Sequence, residues 1–320
     1  TLLPYLAAGG LAAPGMRFSG FLVNPLDGFS YLAKMRQGAD GAWSFVLPYA
    51  AQPGPPAPLF LFYLLLGHVQ SWLGLAPMTV FQAARSVGAI VMFLCAWRFL
   101  EGVLVDRRAV WTSYALVLLG GGLGWVALPL GLAASDLTIP ESVPFLASLV
   151  NPHFPLAAAA LFLVMDVLGP RDMRAGWRWL TALCGGAVLG ILLPFVLVTA
   201  VAVPAAWLAV ETWLGRGEVA RREWLRARWL GWLGLCLGAG PWIVYGLWLT
   251  QAHPVLRAWH LQNQTPSPEP LAYLFGFAIP LVGMALGWRE ARPYRCAGGR
   301  LLLTWMLVNA VLLYVPGLMQ

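Results

Sequence analysis

The chain has 320 residues, of which 60% are hydrophobic and only 10% are charged. This composition excludes a water-soluble globule, because there is too little polar surface to cover one, and it predicts an integral membrane protein. The long apolar runs suit helices that cross a hydrocarbon core of about 30 Å, and the alternation typical of barrel strands is missing. We therefore predict an all-α, polytopic transmembrane helical bundle that forms a single domain.

The net charge of +7 is explained by basic residues in the loops between apolar segments, and it predicts no nucleic-acid partner. Nineteen of the twenty basic residues are arginines. Fifteen of the twenty fall in four short loops, at residues 98–108, 170–178, 215–229 and 289–300. Because basic loops stay on the cytoplasmic side, these four loops are predicted to face the cytoplasm and the bilayer is the expected partner. All four histidines then lie on the non-cytoplasmic side.

The order of the apolar runs predicts a long outer loop followed by about eight spans. The chain opens with Thr1 and without a charged leader, so we expect an excerpt of a longer protein that lacks at least a first helix. Residues 14–79 form the first outer loop. Within it, 58–75 could span but is expected to lie along the interface. The predicted spans are 80–99, 109–131, 146–169, 176–193, 195–213, 228–250, 270–288 and 301–319.

The polar stretch "NPLDGFSYLAKMRQG" near the start of this loop predicts a short amphipathic helix on the membrane surface, closed by Gly38. Asp27 stands at the beginning of that helix. One interpretation makes its carboxylate a helix cap, which contributes about 1 kcal/mol. The other gives it a chemical role, because long ordered loops are more often functional than connecting.

The first loop resembles that of the multi-spanning bacterial glycosyltransferases of the GT-C superfamily. The resemblance rests on "NPLDGFSYLAKM", on Gly41, Trp43, Tyr49 and Pro53, and on "LLLGHVQSWLGL" followed by a helix that begins "VFQAAR". The resemblance extends over most of the chain, but the match of individual residues is loose. It implies an inverting enzyme of the bacterial inner membrane that takes a sugar from a polyprenyl-phosphate donor at the non-cytoplasmic face.

The resemblance also implies roles for individual residues. Asp27 matches the acidic residue that acts as general base, and Lys34, Arg36 and Arg85 would contact the lipid phosphate. A second acidic residue in a later outer loop would pair with Asp27 or hold a divalent cation. The candidates for substrate binding are Tyr31, Lys34, Arg36, Arg85, Asp136, Glu141, Asn151 and His153. For each, a helix cap, a turn or a headgroup contact is the alternative.

One departure from the family pattern keeps other functions open. Where related proteins carry a polar "HPYD"-like turn, this chain has the apolar "LLPFVLV" at 192–198. That difference favours a non-catalytic scaffold subunit of a larger membrane complex, and a secondary transporter is a further alternative. The carboxylates beside the arginine-rich loops are expected to form weak, exposed ion pairs; they are Glu101, Asp106, Asp166, Asp172, Glu211, Glu218, Glu223 and Glu290.

Overall fold

The computed structural model describes residues 1–215, 219–262 and 267–315. Over these residues the protein is a helical bundle, and its β structure is a single antiparallel bridge between Phe45 and Ala57. The predicted all-α fold class is therefore confirmed. The first half contains α1 Leu3–Gly10, α2 Pro25–Ala39, α3 Leu61–Leu73, α4 Pro77–Val103, α5 Arg107–Leu119, α6 Gly124–Ala127, α7 Ser135–Thr138 and α8 Pro144–Ala147.

The second half contains α9 His153–Leu168, α10 Ala175–Leu192, α11 Val196–Leu214, α12 Val219–Ala252, α13 Pro254–Gln262, α14 Pro270–Gly276, α15 Ala278–Ala291 and α16 Ala297–Leu312. Three short 3₁₀ turns, Leu128–Leu130, Pro140–Ser142 and Pro293–Arg295, lie in the connections. Residues 216–218 of the predicted arginine-rich loop, which include Glu218, and residues 316–319 of the last predicted span lie outside the described residues.

Five helical segments of the described chain are long and apolar enough to cross a membrane. They are Pro77–Val103, Arg107–Leu130, Ala175–Leu192, Val196–Leu214 and Arg221–Ala252. A sixth arises if α14 and α15, which meet at a bend of 76°, count as one span. The helices α9 and α16 are apolar but shorter. The chain therefore has the helix lengths and composition of a multi-pass membrane protein.

The predicted span at 109–131 matches the candidate span Arg107–Leu130, in which α5 ends at Leu119 and glycines follow before α6. The structure corrects two other predicted spans. The run at 146–169 becomes a regular long helix only at His153, and 270–288 is broken by the bend after Gly276. Hydropathy misses such breaks, since it measures how apolar a segment is and not whether its backbone continues as a helix.

The loops rich in arginine meet at one end of the bundle, which we call the arginine end. Arg171 donates from Nη2 to the carbonyl of Arg98 at 2.6 Å, and Arg228 donates to the carbonyl of Gly169 at 2.8 Å. Trp207 donates from Nε1 to the carbonyl of Ala297 at 3.1 Å. The first two contacts join α4 and α12 to the segment that follows α9, and the third joins α11 to α16. The histidines and Asp27 belong to the opposite end, the Asp27 end.

Two carboxylates at the arginine end are buried, which corrects the expectation of exposed ion pairs. The Asp166 side chain is 0% exposed and accepts from Arg98 Nε at 2.8 Å and from Arg171 Nε at 2.6 Å. Glu211, with 1% of its side chain exposed, pairs with Arg221 and Arg300. Since these carboxylates have little contact with water, each depends on its two arginines, and each ties three segments of chain together.

Close approaches of backbone hold the Asp27 end together. Where α2 crosses α3, a Cβ on Gly67 would meet the backbone of Met35 and would lie 2.7 Å from the amide nitrogen of Ala39. Gly38 faces the backbone of Leu64 in the same way. Gly38 is therefore a packing residue inside α2, and not the predicted C-terminal cap, which the structure places at Asp40. Small residues are needed at this crossing because no flexible side chain can yield.

Candidate functional site

Asp27 lies in the first turn of α2, and it is not the residue that caps the helix. That position belongs to Asn24, which adopts a left-handed conformation with φ of 49°, and Pro25 follows as the first helical residue. The Asn24 side-chain amide donates to Asp27 Oδ2 at 2.7 Å. A negative charge here is also favoured by the helix dipole. Asp27 is exposed, so its carboxylate can meet a ligand.

Tyr31 lies one turn after Asp27 and belongs to a stack of rings. It is parallel to Tyr63 of α3, with centroids 4.2 Å apart and an interplanar angle of 16°, and lies 4.9 Å from the ring of His153. The hydroxyl of Tyr63 is 2.6 Å from His153 Nδ1. Tyr63 donates in this contact when the neutral imidazole carries its proton on Nε2. The stack therefore connects α2, α3 and the start of α9.

Lys34 lies a further turn along the same face of α2, and its amine is buried between aromatic rings. Its Nζ lies 4.3 Å from the centroids of both Tyr31 and Phe60, and it donates to Ser30 Oγ at 3.1 Å. No described carboxylate forms a salt bridge with it. Burial lowers the pKa of Lys34 to about 8, while the charge of Asp27 acts in the opposite direction. The amine is thus mainly protonated at neutral pH and has capacity to donate further hydrogen bonds.

A cavity of about 200 Å³ connects Asp27 with Lys34. It lies between α2, the following loop and α13. Its lining residues are Asp27, Ser30, Lys34, Phe45, Leu47, Pro48, Tyr49 and Trp259. A carboxylate, an ammonium group and several aromatic rings thus surround a space suited to a small polar molecule.

The loop over this cavity is fixed from several directions. Gln37 of α2 donates from Nε2 to the carbonyl of Val46 at 2.8 Å, and its Oε1 accepts from the Val46 amide at 2.9 Å. His68 contacts the carbonyl of Ala42 at 3.1 Å, and His253 contacts that of Pro55 at 2.9 Å. Two of the histidines predicted to lie on the functional side therefore hold the loop. This explains how a segment rich in proline and glycine forms a wall.

Glu141 is the second acidic residue that the structure brings near Asp27. It lies in the 3₁₀ turn Pro140–Ser142 and is close enough to act electrostatically on both Asp27 and Tyr31. Burial has the largest effect on Tyr31 and raises its pKa above the ordinary value. The negative charges of Asp27 and Glu141 raise it further. Glu141 therefore lies within electrostatic reach of Asp27, and its pairing with Asp27 in substrate binding stays a prediction.

Arg85 and Asn151 belong to a neighbouring polar cluster. Arg85 is fully buried in α4, donates to Gln82 Oε1 and to the carbonyl of Ser148, both at 2.6 Å, and lies under the ring of Tyr5. Its Nη2, like Nδ2 of Asn151, is buried and has no partner among the described residues. Buried donors of this kind require an acceptor such as water or an anion.

Asp136 and Arg36 have structural contacts away from the cavity. Asp136 Oδ2 accepts from the amides of Gly122 at 2.9 Å and Gly124 at 3.2 Å, so it holds the glycine break after α5. Asp136 therefore has the structural role in a turn that was the alternative to substrate binding. Arg36 is exposed and pairs with Asp40 at 2.9 Å on the surface of α2. Their predicted role in binding substrate has no support in these contacts.

Several residues of the site were not identified from the sequence. Ser30 could have been found, because it follows Asp27 by three residues and so shares its helix face. Phe60, Tyr63 and Trp259 carry no such signal, since they reach the site through tertiary packing. Among the described residues, no group of three or more His, Cys, Asp or Glu side chains is arranged to hold a metal ion.

Comparison with known proteins gives no match to this chain. No family model matches it, and none of the curated proteins or solved structures does. The function therefore has to be argued from the geometry of the cavity.

Proposed function

We propose that the protein is a glycosyltransferase of the bacterial inner membrane, which moves a sugar from a polyprenyl-phosphate donor to an acceptor hydroxyl at the non-cytoplasmic face. The observation that carries the proposal is that the exposed carboxylate of Asp27 and the buried amine of Lys34 line the same small cavity. Such a transfer needs a base for the acceptor and a cation for the leaving phosphate. The GT-C resemblance of the first loop points to the same chemistry.

Asp27 is the general base in this proposal. As the acceptor oxygen attacks the anomeric carbon, its proton passes to the Asp27 carboxylate, while the bond from the anomeric carbon to the phosphate oxygen breaks. The electron pair of that bond leaves with the polyprenyl phosphate, and attack from the opposite side inverts the anomeric centre. Positioned proton transfer of this kind contributes typically 10²–10⁴ in rate.

Lys34 stabilises the charge that develops on the leaving phosphate. Its amine has further donors beyond the bond to Ser30, and its partly desolvated position strengthens its interaction with an anion. Tyr49 and Trp259 also line the cavity and provide aromatic surface on which a sugar ring can pack. The buried donors of Arg85 and Asn151, which lack a partner among the described residues, are further candidates for a phosphate contact.

The substitution Asp27→Asn tests the proposal, because it keeps an acceptor oxygen for Asn24 but cannot take a proton. We expect the purified variant to fold normally and to transfer sugar about 10²–10⁴ times more slowly. Asp40→Asn is the matched control, since Asp40 is an exposed carboxylate at the end of the same helix and contacts Arg36. An Asp27→Asn variant that transfers at the wild-type rate would contradict the role of Asp27.

A scaffold subunit is the second candidate, and the turn between α10 and α11 favours it. In this turn Leu193 is buried, Phe195 is 51% exposed, and no polar side chain replaces those of the family pattern. If the wild type transfers no sugar from any polyprenyl-phosphate donor but co-purifies with a stable set of membrane proteins, the scaffold function is supported instead.

A secondary transporter is the remaining alternative. Transporters often contain broken transmembrane helices, and the bend between α14 and α15 is a feature of this kind.

A further inference from the structure

A second cavity, of about 310 Å³, opens at the arginine end, opposite to the Asp27 end. The helices α11, α12 and α16 supply its walls. Its lining residues are Glu211, Arg221, Trp224, Ala297 and Arg300. Proton transfer to an acceptor makes no use of these residues, so the cavity needs a separate explanation.

The carboxylate in this cavity is fully occupied by its arginines. Glu211 Oε1 accepts from Arg300 Nε at 2.6 Å, and Oε2 accepts from Arg300 Nη2 at 2.9 Å and from Arg221 Nη2 at 2.5 Å. Only 1% of the Glu211 side chain is exposed. One buried negative charge therefore faces two guanidinium groups, and the cavity is left with a net positive charge.

Arg221 has donors that remain available to a ligand. Among the described residues, its only hydrogen bond is the one from Nη2 to Glu211, and 26% of its side chain is exposed. Its Nε and Nη1 have no hydrogen-bond partner in the described part of the chain and can donate to an anion. A guanidinium group suits phosphate in particular, because its planar N–H groups match two phosphate oxygens at once.

The surroundings place this cavity at the depth of lipid headgroups. Trp177 and Trp213 lie at the same end and are 61% and 62% exposed, as is typical of tryptophans at a membrane interface. Trp213 follows Glu211 by two residues. The buried Arg178 and Arg228 add positive charge to this end. Basic pockets between transmembrane helices at this depth bind the headgroups of anionic lipids.

We propose that this cavity binds the phosphate headgroup of an anionic phospholipid. Arg221 donates hydrogen bonds to the phosphate oxygens, while Arg300 keeps Glu211 paired, and Trp224 and Ala297 contact the apolar part of the lipid below the headgroup. The site does not depend on the proposed transferase activity. A lipid bound here would fasten α11, α12 and α16 to one another at the membrane surface.

The test is lipid retention by the full-length purified protein, measured by native mass spectrometry. The protein is titrated in mild detergent with phosphatidylglycerol or with phosphatidylcholine of the same acyl chains. We expect one phosphatidylglycerol to bind at least about tenfold more tightly than phosphatidylcholine, a difference of about 1.4 kcal/mol. Equal retention of the two lipids would overturn the proposal.

Variants of neighbouring arginines locate the site. Arg221→Gln removes the free donors but leaves Glu211 paired with Arg300, so we expect the preference for phosphatidylglycerol to fall about tenfold. Arg222→Gln is the matched control, because the adjacent Arg222 is exposed and does not line the cavity. Should both variants weaken retention equally, the attraction would be general surface charge, and the proposal would fail.

Two further measurements keep the test decisive. If Arg221→Gln does not fold, Arg221→Lys is used instead, because it keeps the charge but loses the planar donors. Its preference for phosphatidylglycerol is compared with that of Arg222→Lys. A loss in Arg221→Lys alone supports the proposal, and an equal loss in both variants contradicts it. Inorganic phosphate at millimolar concentration is added as a competitor. Its failure to displace the lipid supports a lipid site, whereas full displacement would identify free phosphate as the ligand and overturn the proposal.

Discussion

The hydroxyl of Tyr63 lies 2.6 Å from Nδ1 of His153, and both side chains are buried. This contact joins α3, a helix of the first loop, to the start of α9 in the bundle. Tyr31 stacks on the ring of Tyr63, so α2 rests on the same connection. The position of Asp27 and Lys34 relative to the bundle therefore depends on a hydrogen bond that neither of them makes.

The substitution Tyr63→Phe tests this dependence. It retains the aromatic stack but leaves His153 Nδ1 buried without a donor, which costs about 1–3 kcal/mol. We expect a lower apparent midpoint of thermal unfolding in detergent. Tyr49→Phe serves as the control, since Tyr49 is 70% exposed and its change should leave the midpoint in place. An unchanged midpoint for Tyr63→Phe would mean that this contact does not stabilise the attachment of α2 and α3 to α9.

The crossing of α2 and α3 predicts a second effect on stability. Gly67→Ala would place a methyl group against the backbone of Met35 and Ala39. Since backbone cannot yield as a side chain can, the helices must separate, at a cost of about 1–3 kcal/mol. Thermal unfolding measures the loss. Gly283→Ala in α15 is the control, because nothing lies within 4 Å of that site and the change should be neutral or slightly stabilising.

Lys34 predicts how stability varies with pH. Its pKa is about 8 in the folded protein and 10.5 in an unfolded chain, so the unfolded state binds more protons between these values. Stability should therefore rise as the pH increases from about 8 toward 9.5. Below pH 8 both states are protonated, and this contribution is constant. Measurements stay below pH 10, because the raised pKa of Tyr31 acts in the opposite direction above it.

The variant Lys34→Met separates this effect from other titrations. Methionine keeps an unbranched side chain in the space between Tyr31 and Phe60 and has no charge to desolvate. We expect the rise between pH 8 and 9.5 to disappear, and the variant to be at least as stable as the wild type at pH 7. A rise of the same size in Lys34→Met would show that another group causes it.

The helix face that carries the site could be predicted from the sequence, because it depends on local spacing. Asp27, Tyr31 and Lys34 follow one another at intervals of four and three residues, and such residues share one side of a helix. The four arginine-rich loops were also correctly expected to share one end. In both cases the information lies within a short segment or in charge that repeats along the chain.

The part of the cavity wall formed by Trp259, and the ring stack beside the cavity, could not be predicted, because they depend on contacts between residues that are distant in sequence. Trp259 comes from α13, more than 200 residues after Asp27, and Tyr63 reaches Tyr31 only because two glycines allow α2 and α3 to cross closely. The burial of Asp166 and Glu211 was missed for a related reason. A carboxylate beside basic loops has the same sequence pattern whether its partners cover it or leave it in water.

The buried Asp166 predicts a large loss of stability when its charge is removed. Asp166→Asn leaves Arg98 and Arg171 facing each other without a carboxylate. Breaking a buried ion pair costs about 3–5 kcal/mol, and we expect the lower end or less because 44% of the Arg98 side chain is exposed. Asp172→Asn removes the same charge from a carboxylate that is 94% exposed and should have little effect. Equal unfolding midpoints for the two variants would contradict the buried network.

The last prediction concerns which end of the bundle faces the cytoplasm. In a variant without the four native cysteines, single cysteines replace Arg222 at the arginine end and Asp40 at the Asp27 end, both of which are exposed. Because basic loops are retained inside the cell, a membrane-impermeant thiol reagent applied to intact cells should label the cysteine at 40. It should label that at 222 only after the membrane is opened. Labelling of the cysteine at 222 in intact cells would show that the arginine end faces outward. It would also contradict the proposed access of a lipid-linked sugar to Asp27 from the outer face.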